Sequence, residues 1–172
     1  MLSWITLHPQ WFLRELELLN RHYPHFRVDE RRLDRGRMIL WGALAIRPPG
    51  GARSYPVAVI YPEGTPFEHP MVFPLEAMPD LDSKDPPKIT PQFFDRRHQM
   101  PGGSLCLFQR DTRSHAGGDA LSIVQILRRA EQWFLGLHTG RWPPDTAESE
   151  LESHFSYAND VLLAERFFAD DV

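Results

Sequence analysis

The chain has 172 residues, of which 42% are hydrophobic and 24% are charged, and its formal net charge is -4. This length predicts one globular domain over residues 1–172, large enough to bury a core. The mildly negative net charge argues against nucleic acid as an electrostatic partner. No apolar run approaches the roughly 20 residues of a membrane span. The amino terminus has no basic region followed by a long apolar stretch, and the chain has one cysteine. We therefore expect no signal peptide, no membrane partner and a cytoplasmic location.

Residues 8–22 are predicted to form an amphipathic helix, because Trp11, Phe12, Leu16 and Leu19 recur at helical spacing. Pro9 suits the first turn of such a helix, and the sequence Tyr-Pro at residues 23–24 is expected to end it. The face expected to be exposed comprises Arg14, Glu15, Arg21 and His22.

Four strands are predicted next, at residues 26–34, 37–46, 55–61 and 71–73. Short segments rich in glycine and proline separate them, which indicates hairpin connections within an antiparallel meander. The first of the four would be a short edge strand. Residues 78–103 show no strong periodicity and predict a long irregular loop leading to the cysteine.

Asp119 is the expected N-cap or first-turn acid of a second helix, whose apolar stripe contains Leu121, Val124, Leu127 and Phe134. A break is predicted from Gly136 to Pro144, and Thr146 would open a last helix. The predicted fold class is therefore α+β: an N-terminal helix, a four-stranded antiparallel meander, a long active-site loop and C-terminal helices packed on one face of the sheet.

The single cysteine, Cys106, has no internal disulfide partner, so it would act as a thiol, a metal ligand or an intermolecular crosslink. Leu105 and Leu107 alternate with it, an arrangement that would anchor the segment and leave the thiol at a surface. The alternative is an inert, buried thiol, which is the commoner state of free cysteine. Gly102 and Gly103 precede it and would leave room for an extended acyl tail.

These features together resemble a divergent bacterial ubiquitin-conjugating enzyme over roughly residues 8–168. The sequence YPVAVIYP at residues 55–62, followed by HPMV at residues 69–72, resembles the third strand of that family and its proline-rich turn. The sequence GSLCL at residues 103–107 resembles the motif around the catalytic cysteine of the family. The helix near Asp119 corresponds to the helix that follows the active site.

The resemblance implies that Cys106 accepts the C-terminus of a ubiquitin-like protein, or of another protein, as a thioester. An adenylating activating enzyme would supply it, docking on the first helix, and an amine on a target protein would then take the acyl group. Such bacterial relatives occur in operons for ubiquitin-like conjugation, including antiphage defence. No cofactor is implied, because ATP would be used by the activating enzyme. Metal binding is not expected, since His22 and His25 lack a second ligand pair at metal-binding spacing.

The chain departs from the family at the His-Pro-Asn tripeptide, in whose place stands the sequence RRHQ at residues 96–99. His98 falls where the family has the asparagine. It is a candidate oxyanion donor or base for the incoming amine, or else a residue that bonds the loop backbone. Asp119 is a candidate for orienting the amine or helping to deprotonate it. His115, in the vicinity where the family often has an aromatic residue, is a further candidate catalytic residue. The cationic side chains near the thiol are Arg96, Arg97, His98 and Arg110, which either favour the thiolate or are solvated loop charges.

Two further functions remain open. One is a non-catalytic interaction module of the same fold, which the missing tripeptide favours and the retained cysteine disfavours. The other is a cysteine hydrolase using Cys106 with His98 or His115. Papain-like hydrolases hold their cysteine at a helix N-terminus, whereas Cys106 precedes Asp119 by a loop.

Overall fold

The computed structural model describes residues 3–94, 98–107 and 121–141. Its elements, in chain order, are α1 (Trp4–Leu7), α2 (Pro9–His22), β1 (Arg27–Val28), α3 (Glu30–Leu33), β2 (Ile39–Ile46), β3 (Arg53–Ile60), β4 (Met71–Pro74) and α4 (Ile123–Thr139). The described residues form an α+β arrangement, as the sequence predicts. None of their helices is long and apolar enough to cross a membrane.

The four strands form one antiparallel sheet in the order β1-β2-β3-β4, so the predicted meander is confirmed. Strands β2 and β3 pair along their full lengths, with Leu40 opposite Val59 and Trp41 opposite Ala58. Strand β4 continues this register and sets Val72 opposite Val59. Because side chains alternate across a strand, this register divides the apolar residues between the two faces of the sheet.

The main core lies between one face of the sheet and helices α2 and α4. Leu40, Val59 and Val72 belong to it from the sheet, and Leu19 of α2 and Phe134 of α4 from the helices. Gly42 is required here, because a Cβ atom at that position would lie 2.4 Å from the ring of the buried Phe26. Leu105 and Leu107 also belong to this core, as predicted, and they attach the cysteine segment to it.

The opposite face of the sheet is covered by residues 76–90, which we call the arm. Leu75 and Pro91 form an isolated β-bridge at its base. Its Leu81 and Ile89 pack against a second apolar cluster that contains Trp41 and Ala58 of the sheet. Both faces of the sheet are therefore covered, the second one by irregular chain.

The predicted first strand is only partly correct. The strand is confined to Arg27–Val28, at the sheet edge, and residues that were expected to extend it form helix α3 instead. Asp29 caps this helix, because its side chain accepts a hydrogen bond from the backbone N–H of Arg32. The same carboxylate accepts a hydrogen bond from the Trp41 indole at 3.3 Å.

Helix α4 begins later and ends later than predicted. Ser122 is its N-cap, so the prediction that Asp119 caps the helix or lies in its first turn is wrong. The backbone N–H of Ser122 donates to the Gln125 side chain at 2.8 Å, which satisfies a donor at this end. Gly136 is helical rather than a break, and Gly140 ends the helix with a φ of 67°. The last predicted helix, from Thr146, lies outside the described residues.

Candidate functional site

Cys106 ends a tight hairpin of residues 98–106, which we call the cysteine hairpin. Gln99 and Leu105 pair across it as an isolated antiparallel bridge. The backbone N–H of Cys106 donates to the carbonyl of His98 at 2.9 Å, and that of Met100 donates to the carbonyl of Ser104 at 2.8 Å. These backbone hydrogen bonds hold His98 and Cys106, the two residues of the hairpin with reactive side chains, opposite each other at its open end.

The tip of the hairpin depends on Gly103. Its φ of 90° lies in the region that favours glycine, and a Cβ atom there would lie 2.5 Å from the Cβ of Pro91. The base of the hairpin is tied to the sheet, because the backbone N–H of Leu105 donates to the carbonyl of Val72 in β4 at 2.7 Å. The glycine therefore lets the hairpin approach the end of the arm while β4 fixes its position.

Helix α4 contacts the chain on both sides of the cysteine. The Trp133 indole N–H donates to the carbonyl of His98 at 2.6 Å. One turn earlier, the Arg129 guanidinium donates to the carbonyl of Leu107 at 3.2 Å. Since residues at i and i+4 share a helix face, one face of α4 holds both ends of the segment that carries the thiol.

Cys106 is buried, with only 5% of its surface exposed, and His98 is 6% exposed. The prediction that the flanking leucines leave the thiol at a surface is therefore wrong, because Cys106 is buried together with Leu105 and Leu107. The physical reason is that Trp133 and Val72 draw both strands of the hairpin against the main core. A reagent in solution can reach the sulfur only if the surroundings of Cys106 open locally.

The side chain of Gln99 makes three hydrogen bonds in and beside the hairpin. Its Oε1 accepts from the backbone N–H of Phe94 at 3.0 Å. Its Nε2 donates to the carbonyl of Gln92 at 2.8 Å and to the carbonyl of Gly103 at 2.8 Å. The amide therefore connects the segment that leaves the arm with the tip of the hairpin.

The other predicted site residues lie outside the part of the chain that the structure describes. They are Asp119 and His115, together with the cationic Arg96, Arg97 and Arg110. Among the residues that are described, no group of three or more His, Cys, Asp or Glu side chains is arranged to hold a metal ion.

The predicted exposed face of the first helix is wrong in one residue. Arg14, Arg21 and His22 of α2 are exposed, but Glu15 is fully buried. Its Oε2 accepts from the hydroxyl of Tyr61 at 2.8 Å and from the backbone N–H of Ile123 at 2.9 Å. Burial raises the pKa of the Glu15 carboxyl, and the hydrogen bonds from Tyr61 and Ile123 oppose that rise. Glu15 therefore serves the packing of α2 on α4 rather than a docking surface.

The sequence interpretation missed Gln99, Arg129 and Trp133 as residues that hold the site. The spacing of Arg129 and Trp133 places both on one helix face, which is a signal that sequence can provide. Gln99 gives no such signal, because its partners are backbone atoms whose positions depend on the folded loop.

Comparison of the chain with models of protein families, with curated proteins and with solved structures finds no match.

Proposed function

We propose that the protein is a ubiquitin-conjugating-like acyl carrier in which Cys106 is the nucleophile. The observation that carries the proposal is the cysteine hairpin, in which the Cys106 N–H bonds the His98 carbonyl eight residues earlier. The hairpin follows a four-stranded meander and precedes a long helix, the order of elements that ubiquitin-conjugating enzymes have. The sequence motif GSLCL at residues 103–107 supports the same proposal.

The proposed reaction has two steps. The Cys106 thiolate attacks the carbonyl carbon of an acyl thioester at the C-terminus of a carried protein, and the donor thiolate leaves. Cys106 gives up its thiol proton to form this thiolate, and the departing donor thiolate takes up a proton, so the exchange of one thioester for another is balanced. An amine on the target then attacks the new thioester, loses a proton and releases Cys106 as thiol. Dividing the transfer in this way replaces one high barrier by two lower ones.

His98 is the proposed acid–base or oxyanion-stabilising group of the second step. Its backbone carbonyl belongs to the hairpin bond network, so replacing its side chain leaves the bonds from Cys106 and Trp133 to that carbonyl available. The proposed setting is conjugation of a ubiquitin-like protein in the bacterial cytoplasm, within antiphage defence. The activating enzyme is the proposed donor, and the acceptor is an amine on a target protein.

A peptide thioester provides a direct test. A short peptide ending in Gly-Gly, prepared as its mercaptoethanesulfonate thioester, is incubated with the protein and the adducts are identified by mass spectrometry. We expect one hydroxylamine-labile acyl group on Cys106, at a rate that saturates with peptide, and none in Cys106→Ser. Free lysine should discharge the adduct, and His98→Ala should slow discharge by roughly 100-fold while slowing acylation much less. Absence of an adduct on the native protein would overturn the proposal.

A non-catalytic interaction module is the second candidate function. The observation that favours it is the burial of Cys106 at 5% exposure, because a nucleophile must be accessible. In that case the peptide thioester leaves the native protein unmodified, while Cys106→Ser retains every binding activity of the parent protein. Hydrolysis of the peptide thioester without a stable adduct would instead indicate a cysteine hydrolase.

A further inference from the structure

We infer that Gln99 is a positioning residue of the cysteine hairpin, and that its side-chain amide keeps Cys106 and His98 in the geometry that acyl transfer requires. The inference rests on the function proposed above. Gln99 touches neither reacting group through a described hydrogen bond of its side chain; it acts through the backbone to which they are attached.

The orientation of the Gln99 amide is fixed by its three partners. Oε1 faces a donor, the N–H of Phe94, and Nε2 faces two acceptors, the carbonyls of Gln92 and Gly103. A side-chain amide offers two N–H donors, and both are used here. Rotation of the amide by half a turn would set donor against donor and acceptor against acceptor, so a single arrangement satisfies the site.

These bonds join the segment of residues 92–94 to the tip of the hairpin. The segment of residues 92–94 has its own bond to the sheet through the Gln92 N–H and the Pro74 carbonyl, at 2.8 Å. Gly103 lies at the tip of the hairpin, where the chain has just turned. The Gln99 amide therefore connects the tip, by way of residues 92–94, to the end of β4. A tip fixed in this way restricts the twist of the hairpin and hence the separation of its two ends.

Replacing the Gln99 amide by a carboxylate tests the contribution of its two N–H donors. Gln99→Glu keeps the length of the side chain and its acceptor for the Phe94 N–H, but it replaces both donors by an oxygen that faces two carbonyls. Gln92→Glu is the matched control. It introduces the same charge in the neighbouring segment of residues 92–94, and the bond from Gln99 uses only the backbone carbonyl of Gln92.

Native-state hydrogen exchange reports the hairpin directly. In Gln99→Glu, we expect the Cys106 amide, which bonds across the hairpin to His98, to exchange at least tenfold faster. The Leu105 amide, which bonds to Val72 of the sheet, should change much less. Gln92→Glu should leave both rates near those of the parent protein. Unchanged exchange at Cys106 in Gln99→Glu would overturn the inference.

Acylation by the Gly-Gly peptide thioester tests the link to chemistry. We expect Gln99→Glu to lower the maximal acylation rate about tenfold with little change in the half-saturating peptide concentration, because misplacement of a reacting group costs rate rather than binding. A normal maximal rate despite faster exchange would overturn the positioning role. If the parent protein forms no adduct, both the proposed function and the role of Gln99 in it are overturned. The exchange rate of the Cys106 amide in Gln99→Glu then shows whether Gln99 stabilises the hairpin or has no effect on it. Gln99→Met, which removes all three bonds without adding charge, should reproduce both effects.

Discussion

Glu15 is a fully buried carboxyl group between helix α2, the residue that follows β3 and the start of helix α4. Two donors, the hydroxyl of Tyr61 and the N–H of Ile123, converge on one of its oxygens, and Ile123 is the first residue of α4. The carboxylate thus satisfies a backbone donor that every helix leaves unpaired at its start. Its other oxygen, Oε1, is buried and has no hydrogen-bond partner among the described residues. Burial of the carboxyl group is what raises the pKa of Glu15.

The raised pKa of Glu15 predicts a specific pH dependence of stability. The unfolded chain releases the proton near the ordinary value of 4.5, whereas the folded protein retains it to higher pH. Between those two values the folded state binds more protons, so the free energy of unfolding falls as pH rises. Each unit of separation between the folded and unfolded pKa is worth about 1.4 kcal/mol.

Glu15→Gln isolates this effect, because the amide oxygen still accepts both hydrogen bonds and the side chain no longer titrates. Urea unfolding from pH 4 to pH 8 should show the parent protein losing stability relative to Glu15→Gln as pH rises through the window above 4.5. The exposed Glu17 of the same helix, which pairs with Arg21, provides the control: Glu17→Gln removes a carboxyl group of α2 that is not buried in the core. Parallel pH profiles for the parent protein and Glu15→Gln would contradict the prediction.

Helix α4 is the element on which the site depends most. Its buried Trp133 contacts the His98 carbonyl, and Phe134 stacks on Tyr55 of β3 with ring centroids 4.2 Å apart. Phe94, whose N–H bonds Gln99, lies against both Trp133 and Phe134. The helix therefore supports the cysteine hairpin through hydrogen bonds and through the aromatic side chains behind it.

Trp133→Phe removes the indole N–H and part of the ring while preserving an aromatic core residue. We expect a loss of about 1–3 kcal/mol in unfolding free energy, from the missing hydrogen bond and imperfect packing. The Cys106 amide should also exchange faster, because it shares the His98 carbonyl with the indole. Leu135→Ala, on the partly exposed side of α4, should change stability by only about 0.5 kcal/mol or less. Equal losses in the two variants would argue against the support role of Trp133.

Sequence patterns predict the regular elements well and the local connections poorly. Helix α2 follows from its apolar periodicity, and strands β2, β3 and β4 follow from short apolar runs bounded by turn residues. The short helix α3 was missed because its N-cap, Asp29, lies inside an alternating apolar pattern that also fits a strand. Asp119 and Ser122 are both acceptable N-caps, and only the folded chain distinguishes between them.

The site was predictable only where its signal is local. The glycines and leucines around Cys106 indicate a turn and an anchored segment, and the hairpin has both features. Burial of the thiol depends on Val72 and Trp133, which are far from Cys106 in sequence. The sequence wrongly predicts an exposed Glu15 for the same reason: its partners, Tyr61 and Ile123, lie 46 and 108 residues away.

At the scale of the whole molecule, the sheet is covered on its two faces by structures of different kinds. Helices α2 and α4 cover one face with the main core, and the arm covers the other with Leu81 and Ile89. The arm is held largely by arginine side chains of the α3 region. Arg31 donates to the carbonyls of Ser83 and Asp85, and Arg32 donates to the carbonyl of Pro87 at 2.7 Å. A cleft of about 520 Å³, with Arg27 and Asp82 among the residues that line it, remains between the edge of the sheet and the arm.

Because helices cover one face of the sheet and irregular chain covers the other, we predict that the arm opens without unfolding the rest of the molecule. Because the second apolar cluster is small and the Arg31 bonds are exposed, local opening should require much less free energy than global unfolding. Arg31→Ala removes bonds to the arm and leaves the main core untouched. Thermolysin, which cleaves before apolar residues, should therefore cut near Leu81 and Ile89 several-fold faster in Arg31→Ala, since cleavage follows the population of the open form.

Arg35→Ala, at an exposed arginine beside α3, is the matched control and should be digested like the parent protein. Mass spectrometry of the first fragments locates the cuts, and urea unfolding should give similar midpoints for all three proteins. Digestion that begins outside the arm, or a midpoint that falls together with the faster cleavage, would show that the two faces of the sheet unfold as one unit.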